Sequence, residues 1–118
     1  MLPRITIITI CYNAASTISR TLRSVQAQTY PDLEYLVIDG ASRDTTLELV
    51  EELAPRAQVY SEPDRGIYDA MNKGLARATG DYVWYVNAGD ALAKATTVED
   101  LVRATCSGGH PPDVLYGD

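Results

Sequence analysis

Arg4-Ile-Thr-Ile-Ile-Thr-Ile-Cys11 is β-branched almost throughout and apolar on both faces. A strand covered on both sides of a parallel sheet reads this way. Outward from it, helix-like and strand-like stretches alternate. Asn13 stands where a helix cap belongs, and Ile18, Leu22 and Val25 fall at i, i+4 and i+7, the stripe of an amphipathic helix reaching about Gln28. Tyr30-Pro31-Asp32 is a turn, and Leu33 to Ile38 is a second buried strand ending at Asp39-Gly40. Thr45 and Glu48 have capping-box spacing, Leu47, Val50 and Leu53 supply the buried face of a second helix, and Pro55 stops it.

Gln58 to Ser61 is a short third strand. In a third helix Ile67, Ala70, Met71, Gly74, Leu75 and Ala78 share one face; Gly74 there predicts close packing on a neighbouring backbone. Gly80 is expected as its left-handed C-terminal cap. Tyr82 to Val86 is a fourth strand with Trp84 in the core, and Thr97 to Ala104 a weaker helix. Ser107 to Pro112 is a loop, and Asp113 to Tyr116 begins a fifth strand. The alternation predicts an α/β fold, a mostly parallel sheet with right-handed crossovers and helices on both faces.

The 118 residues, 46% hydrophobic and 22% charged, suffice for one core and not for two. The longest apolar runs, such as Ile5 to Ile10, are strand-length, far below the ~20 residues of a membrane helix. The first strand starts almost at Met1, so no secretory leader is expected. A net charge of −6 opposes a phosphate-backbone footprint, and no nucleic-acid partner is expected. Cys11 and Cys106 lack metal-ligand spacing and read as reduced thiols of a cytoplasmic protein, Cys11 as a small core residue.

In open α/β sheets, ligands bind beyond the carboxyl ends of the strands, at the switch in strand order. That edge should carry Tyr12 and Asn13, then Asp39, then Glu62, Asp64 and Arg65, then Asn87 and Asp90. Loop polarity and the turn preference of Asp explain any one of these; acids on successive strand ends are harder to explain so. Carboxylates on one rim repel each other unless a cation or a hydrogen-bonding ligand resolves them. A Mg2+ or Mn2+ ion completed by substrate phosphates would do so, as would the hydroxyls and N–H groups of a nucleoside. A nucleoside diphosphate supplies both. Neither a Gly-x-Gly-x-x-Gly fingerprint nor a P-loop is present.

Lys73, on the polar side of the third helix, is either solvated or a cation beside a diphosphate, and Arg65 shares that ambiguity. Asp69 in the first turn is also ordinary dipole compensation. His110 reads as loop decoration, because no Ser or Cys partner is identifiable. A receiver-like signalling module also gathers acids at strand ends, but it needs an acidic pair where Cys11-Tyr12-Asn13 stands.

Ile5-Thr-Ile-Ile-Thr-Ile-Cys-Tyr-Asn13, Gln28-Thr29-Tyr30 and Val37-Ile-Asp-Gly-Ala-Ser-Arg-Asp-Thr45 resemble the inverting family 2 glycosyltransferases. So do Ser61-Glu-Pro-Asp-Arg-Gly-Ile-Tyr-Asp-Ala-Met-Asn-Lys-Gly74, Ala78-Thr-Gly-Asp81 and Asn87-Ala-Gly-Asp90. The likeness covers nearly the whole chain in order and is strongest to bacterial members that build surface polysaccharides. It implies a Rossmann-like GT-A fold, a nucleotide-sugar donor (usually UDP-linked), and Mg2+ or Mn2+. The implied reaction is transfer with inversion to a saccharide or lipid-linked acceptor.

By position, Tyr12 and Asn13 match the segment lying against the nucleotide, and Asp39 the acid near the base. Asp64 and Lys73 match donor-side positions. Asn87 opens the place of the family's Asp-x-Asp motif, leaving Asp90 as the implied metal ligand. Gly40, Asn87 and Gly89 depart from places that are often acidic. The resemblance also implies an acceptor-binding half beyond residue 118 that carries the general base. Residues 1–118 then form a single donor-binding domain, for which nucleotide binding without turnover is the alternative. The implied setting is the inner face of the cell membrane, and an exposed sheet edge leaves self-association open.

Overall fold

The computed structural model describes residues 2–107 and 114–116. Its elements follow the expected order: β1 (Ile5–Cys11), α1 (Ile18–Gln26), β2 (Leu33–Asp39), α2 (Thr46–Leu53), β3 (Gln58–Ser61), α3 (Ile67–Arg77), β4 (Tyr82–Tyr85), α4 (Thr97–Ser107) and β5 (Val114–Tyr116). The strands form one five-stranded sheet in the order β3-β2-β1-β4-β5. Every pairing is parallel. Cys11 lies opposite Asp39, and Asp39 opposite Ser61, so β1, β2 and β3 end level with one another. The strand order reverses between β1 and β4, which places the switch point at the carboxyl ends of these two strands.

The central strand β1 is sealed on both faces. Ile5, Ile7 and Cys11 join Ile18, Leu22 and Val25 of α1 and Val50 of α2 in one layer. Ile8 joins Leu36, Ile38, Val83, Tyr85 and Ala70 of α3 in the other. The threonines that interrupt the apolar run are buried with partners: Thr9 Oγ1 lies 2.7 Å from the Tyr35 hydroxyl and donates to the Val86 carbonyl. Gly74 makes a close approach, though to side chains rather than to the backbone expected: a Cβ there would come within 2.8 Å of Ile8 Cγ2 and 3.2 Å of Ile38 Cγ1.

Several expectations are corrected. Gly80 is not a left-handed cap. Its φ is not positive, α3 ends at Ala78 in an extended conformation, and Gly80 is required by crowding against the backbone of Thr6 and Arg4. Ile67 and Leu75 are 53% and 45% exposed, because the buried stripe of α3 is narrowed to the line of Ala70 and Gly74. The capping box does not form; Thr45 makes no side-chain cap, and Asp44 instead accepts from the Thr46 N–H at 3.0 Å.

The step from β4 to β5 runs across the sheet in the same direction as β3 to β4, yet α4 buries Val98 and Val102 in the α1–α2 layer. The right-handed expectation fails there, because the chain after β4 is bonded to α1 as it descends. Trp84 is in the core as expected. Residues 108–113 and 117–118 lie outside the described part, and with them most of the expected Ser107–Pro112 loop with His110, and Asp113, the expected start of the fifth strand; the Cys106 side chain does too. Among the described residues no helix is long and apolar enough to cross a membrane.

Candidate functional site

The carboxyl edge of the sheet is built from two loops cross-linked to each other. Residues 12–17 follow β1, residues 40–45 follow β2, and both contain a non-glycine residue with positive φ: Asn13 at 46° and Ala41 at 63°. Asparagine is among the residues that visit this conformation, and bonds to the other loop hold Asn13 in it. Its Oδ1 accepts the Arg43 N–H at 2.8 Å, and its own N–H donates to Ser42 Oγ at 2.7 Å. Asp44 completes the link, accepting from the Ala15 N–H at 3.1 Å as well as from Thr46. These bonds hold the Asp44 carboxyl below the usual carboxylate range, the Thr46 hydroxyl acting most strongly.

Asp39 sits beneath these loops and is only 1% exposed. Its Oδ2 accepts from the Ser42 N–H and Ser61 Oγ, each at 2.8 Å, and its Oδ1 from Ser42 Oγ and from the Cys11 thiol at 3.4 Å. Burial first, and the Asp39 charge second, push the Cys11 thiol far above its ordinary value, so it stays a protonated donor and no nucleophile.

Above Asp39 the chain opens a cleft of about 290 Å³ lined by Ile10, Cys11, Tyr12, Asp64, Gly66 and Ile67. Tyr12 is 60% exposed beside it. A Cβ at Gly40 would lie 2.8 Å from Asp64 Oδ2 and 3.3 Å from Tyr12 Cδ1. Glycine at 40 therefore lets the tyrosine ring and the Asp64 carboxylate close over the end of β2, where a larger residue would have to displace the Asp64 carboxylate. Asp64 itself accepts from the Gly66 N–H at 3.2 Å.

Lys73 is not a solvated lysine. It is 21% exposed, its Nζ donates to the Pro63 carbonyl at 2.8 Å, and it lies 3.3 Å from Glu62 and 3.4 Å from Asp69. Burial opposes its charge, but Glu62 and Asp69 outweigh that and hold the ammonium above the usual lysine range. The segment 62–66 is thereby clamped to α3. The crowded rim is thus largely resolved within the protein: Glu62 and Asp69 by Lys73, and Asp39 by hydroxyls, an amide and a thiol.

Asn87 and Asp90 occupy the loop after β4, on the other side of the switch point. Asn87 is exposed and Asp90 half-buried. The Asp90 N–H donates to the Asn87 carbonyl at 3.0 Å, which makes Asn87-Ala-Gly-Asp90 a tight turn. Gly89 has φ 100°, with nothing nearer its would-be Cβ than Thr17 at 3.9 Å. Backbone conformation rather than space therefore excludes an acid at 89. Among the described residues no three His, Cys, Asp or Glu gather into a set able to hold a metal ion. One carboxylate beside an amide does not fit an all-protein cage. It fits the kind of divalent ion that keeps most of its coordination for substrate phosphates and water.

Sequence reasoning missed the residues that hold these loops. Thr21, Ser42, Asp44, Thr46 and Ser61 all act through backbone or short polar contacts. The one available signal was a polar line at Thr21, Ser24 and Gln28 alongside the apolar stripe of α1.

A parallel sheet in this order, with its polar loops gathered at the switch point, defines a Rossmann-like α/β domain of the kind that holds nucleotides. The description Glycosyl transferase family 2 matches residues 6–111. The chain belongs to that family. It is 39% identical over 117 residues to an uncharacterized glycosyltransferase of Mycobacterium tuberculosis, covering 98% of this chain and 44% of that protein. It is 36% identical over 120 residues to a PGL/p-HBAD biosynthesis glycosyltransferase of Mycobacterium bovis, covering 98% of this chain and 46% of that one. The chain thus spans less than half the length of these curated relatives.

Among solved structures, a Pyrobaculum calidifontis mannosyltransferase in complex with GDP-Man and Mn2+ matches with a TM-score of 0.78 and 32% identity, over 87% of this chain and 32% of that one. S. aureus TarS in complex with UDP-GlcNAc matches with a TM-score of 0.77 and 25% identity, over 87% and 32%. These likenesses agree with the GT-A arrangement expected from the sequence.

Proposed function

We propose that this chain binds the nucleotide-sugar donor of a glycosyl transfer reaction, with the nucleoside in the Tyr12–Asp64 cleft and the diphosphate toward Asn87–Asp90. The observation that carries this reading is the opening of that cleft at the switch point, with an exposed aromatic ring and a carboxylate on its walls. The Tyr12 ring offers a face for a base to stack on. Asp64, free of any basic partner among the described residues, offers acceptors to ribose hydroxyls or a base N–H. Asp39, Asn13 and Lys73 serve by holding the cleft walls: Asp39 and Asn13 fix the 40–45 loop, and Lys73 fixes the 62–66 segment. The neighbours that hold GDP-Man and UDP-GlcNAc support a nucleoside diphosphate sugar in general; uridine is the nucleotide we propose.

In the reaction, an acceptor hydroxyl oxygen bonds to the anomeric carbon from the side opposite the diphosphate. The carbon–oxygen bond to the nucleoside diphosphate breaks, and its electron pair leaves on the phosphate oxygen. A single displacement of this kind inverts the anomeric configuration. The acceptor proton goes to a base that we place beyond residue 118. A Mg2+ or Mn2+ ion, held by Asp90 with Asn87 beside it, would supply positive charge to the departing diphosphate. We assign the acceptor to saccharides or lipid-linked saccharides, and the reaction to the cytoplasmic face of the membrane.

Calorimetric titration with UDP and with GDP, with and without Mn2+, tests the reading. Binding of UDP is expected, and Asp64→Asn should weaken it by about tenfold, on the order of 1.4 kcal/mol. Tighter binding of GDP would overturn the choice of uridine. An unchanged affinity in Asp64→Asn, or no binding of either nucleotide, would overturn the site.

A further inference from the structure

α1 carries two stripes. The apolar one, Ile18, Leu22 and Val25, packs on the sheet. The polar one begins at Thr21, continues at Ser24 and ends at Gln28 just past the helix. Each of its side chains bonds to the backbone of the segment after β4. Gln28 Nε2 donates to the Lys94 carbonyl at 2.7 Å, and its Oε1 accepts the Val98 N–H at 3.1 Å. Ser24 Oγ accepts the Leu92 N–H at 3.1 Å. Thr21, 0% exposed, sits at the head of the ladder, directly under the Asn87–Asp90 turn. Its hydroxyl accepts the Gly89 N–H at 3.0 Å and donates to the Asp90 carbonyl at 2.5 Å, with the Asn87 carbonyl at 3.5 Å.

A threonine inside a helix is a poor choice for propensity, since its branched side chain stiffens against the preceding turn. Here the hydroxyl uses its donor and an acceptor lone pair on one turn of another segment. Asp90 consequently has both of its backbone groups tied, its N–H to the Asn87 carbonyl and its C=O to Thr21. The direction in which its side chain leaves the chain is therefore fixed, while the carboxylate takes no hydrogen bond among the described residues. The positive φ of Gly89 is what turns its N–H toward Thr21.

We propose that Thr21 is the positioning residue of the Asn87–Asp90 turn: from the buried face of α1 it aims the Asp90 carboxylate at the divalent ion accompanying the donor diphosphate. This rests on the donor-binding reading above. Thr21→Val preserves shape and removes the hydroxyl, leaving the Gly89 N–H and the Asp90 carbonyl without their partner.

The experiment uses the full chain with MnCl2 and UDP as probes. Calorimetry gives the UDP affinity with and without Mn2+, and amide hydrogen exchange without ligand reports on Gly89. Thr21→Val is expected to keep the metal-free UDP affinity, to lose at least about tenfold of the Mn2+-dependent gain, and to speed exchange at Gly89. Thr21→Ser should restore both. A Mn2+ gain retained by Thr21→Val overturns the proposal, as does equal loss of metal-free and Mn2+-dependent affinity. If Thr21→Val does not fold, Thr21→Ala takes its place under the same criteria. A wild-type protein that binds UDP but gains nothing from Mn2+ overturns the positioning role alone. One that binds no nucleotide overturns the donor reading, and exchange at Gly89 then judges the hold of Thr21 on the turn.

Discussion

At Asp39 the donors of Ser42, Ser61 and Cys11 converge on one buried carboxylate. A carboxylate can accept from all of them, because both its oxygens carry lone pairs. An asparagine has one oxygen, and its NH2 group would face donors instead of acceptors. Asp39→Asn is therefore expected to destabilise the ligand-free protein by about 1–3 kcal/mol, the range for leaving buried polar groups unsatisfied. Urea unfolding would show this as a lower midpoint at unchanged slope; an unchanged midpoint would mean that the bonds contribute nothing net. Ala41 adds a second aspect of the same loop. An alanine at φ 63° is in the left-handed region, and bonds on both sides hold it there: before it the Gly40 N–H donates to the Cys11 carbonyl, and after it the Ser42 N–H donates to Asp39 and the Arg43 N–H to Asn13.

At the scale of elements, α3 is joined to the sheet by two glycines that act differently. Alanine at 74 gains about 1 kcal/mol of helix propensity, but its methyl would press on Ile8 and Ile38 side chains at 2.8 and 3.2 Å. Overpacking of this kind costs about 1–3 kcal/mol, so a modest net loss follows. Alanine at 80 meets rigid backbone instead, Thr6 N at 2.8 Å and Arg4 O at 2.9 Å, with no helix to strengthen. Gly80→Ala is thus expected to lower the melting temperature more than Gly74→Ala, and the reverse order would show that the turn at Gly80 yields more easily than the packing of α3 on the sheet.

The sequence made Gly74 readable because its neighbours in the helix set a period. It misled at Gly80, since a glycine after a helix suggests a cap, and the backbone of Arg4 and Thr6 that crowds it lies far away in the chain. The succession of elements and the parallel sheet were legible for the same reason as the helices: β-branched runs alternating with amphipathic stripes admit few topologies. The α4 side of the sheet was not, because Ser24 and Gln28 bond to the backbone of that segment, and a polar line on a helix does not say which distant backbone it meets.

For the molecule as a whole, the question is which concavity the ligand takes. A hollow of about 430 Å³ lies between α2 and β3, lined by Leu47, Ala54, Pro55 and Val59 among others, and it exceeds the cleft at Tyr12 in volume. It sits beside the edge strand β3, away from the switch point. The Tyr12 cleft is smaller but lies where the sheet reverses its order, within reach of loops fixed by Asp39, Asp44 and Lys73. That edge was legible from topology alone, whereas the bonds that freeze it join residues distant in sequence and could not be read. Topology and side-chain chemistry together outweigh volume.

A ligand that binds only the folded state at a hundredfold excess over its Kd stabilises by about 2.7 kcal/mol, which for a chain of this size is roughly 10 °C in melting temperature. UDP with Mn2+ at that ratio is expected to raise the melting temperature by this amount in the wild type and in Val59→Thr, which alters the larger hollow. In Tyr12→Ala, at the same UDP concentration, the rise should largely vanish. If Val59→Thr abolished the rise while Tyr12→Ala kept it, the nucleotide would belong between α2 and β3, and the switch-point assignment would fall.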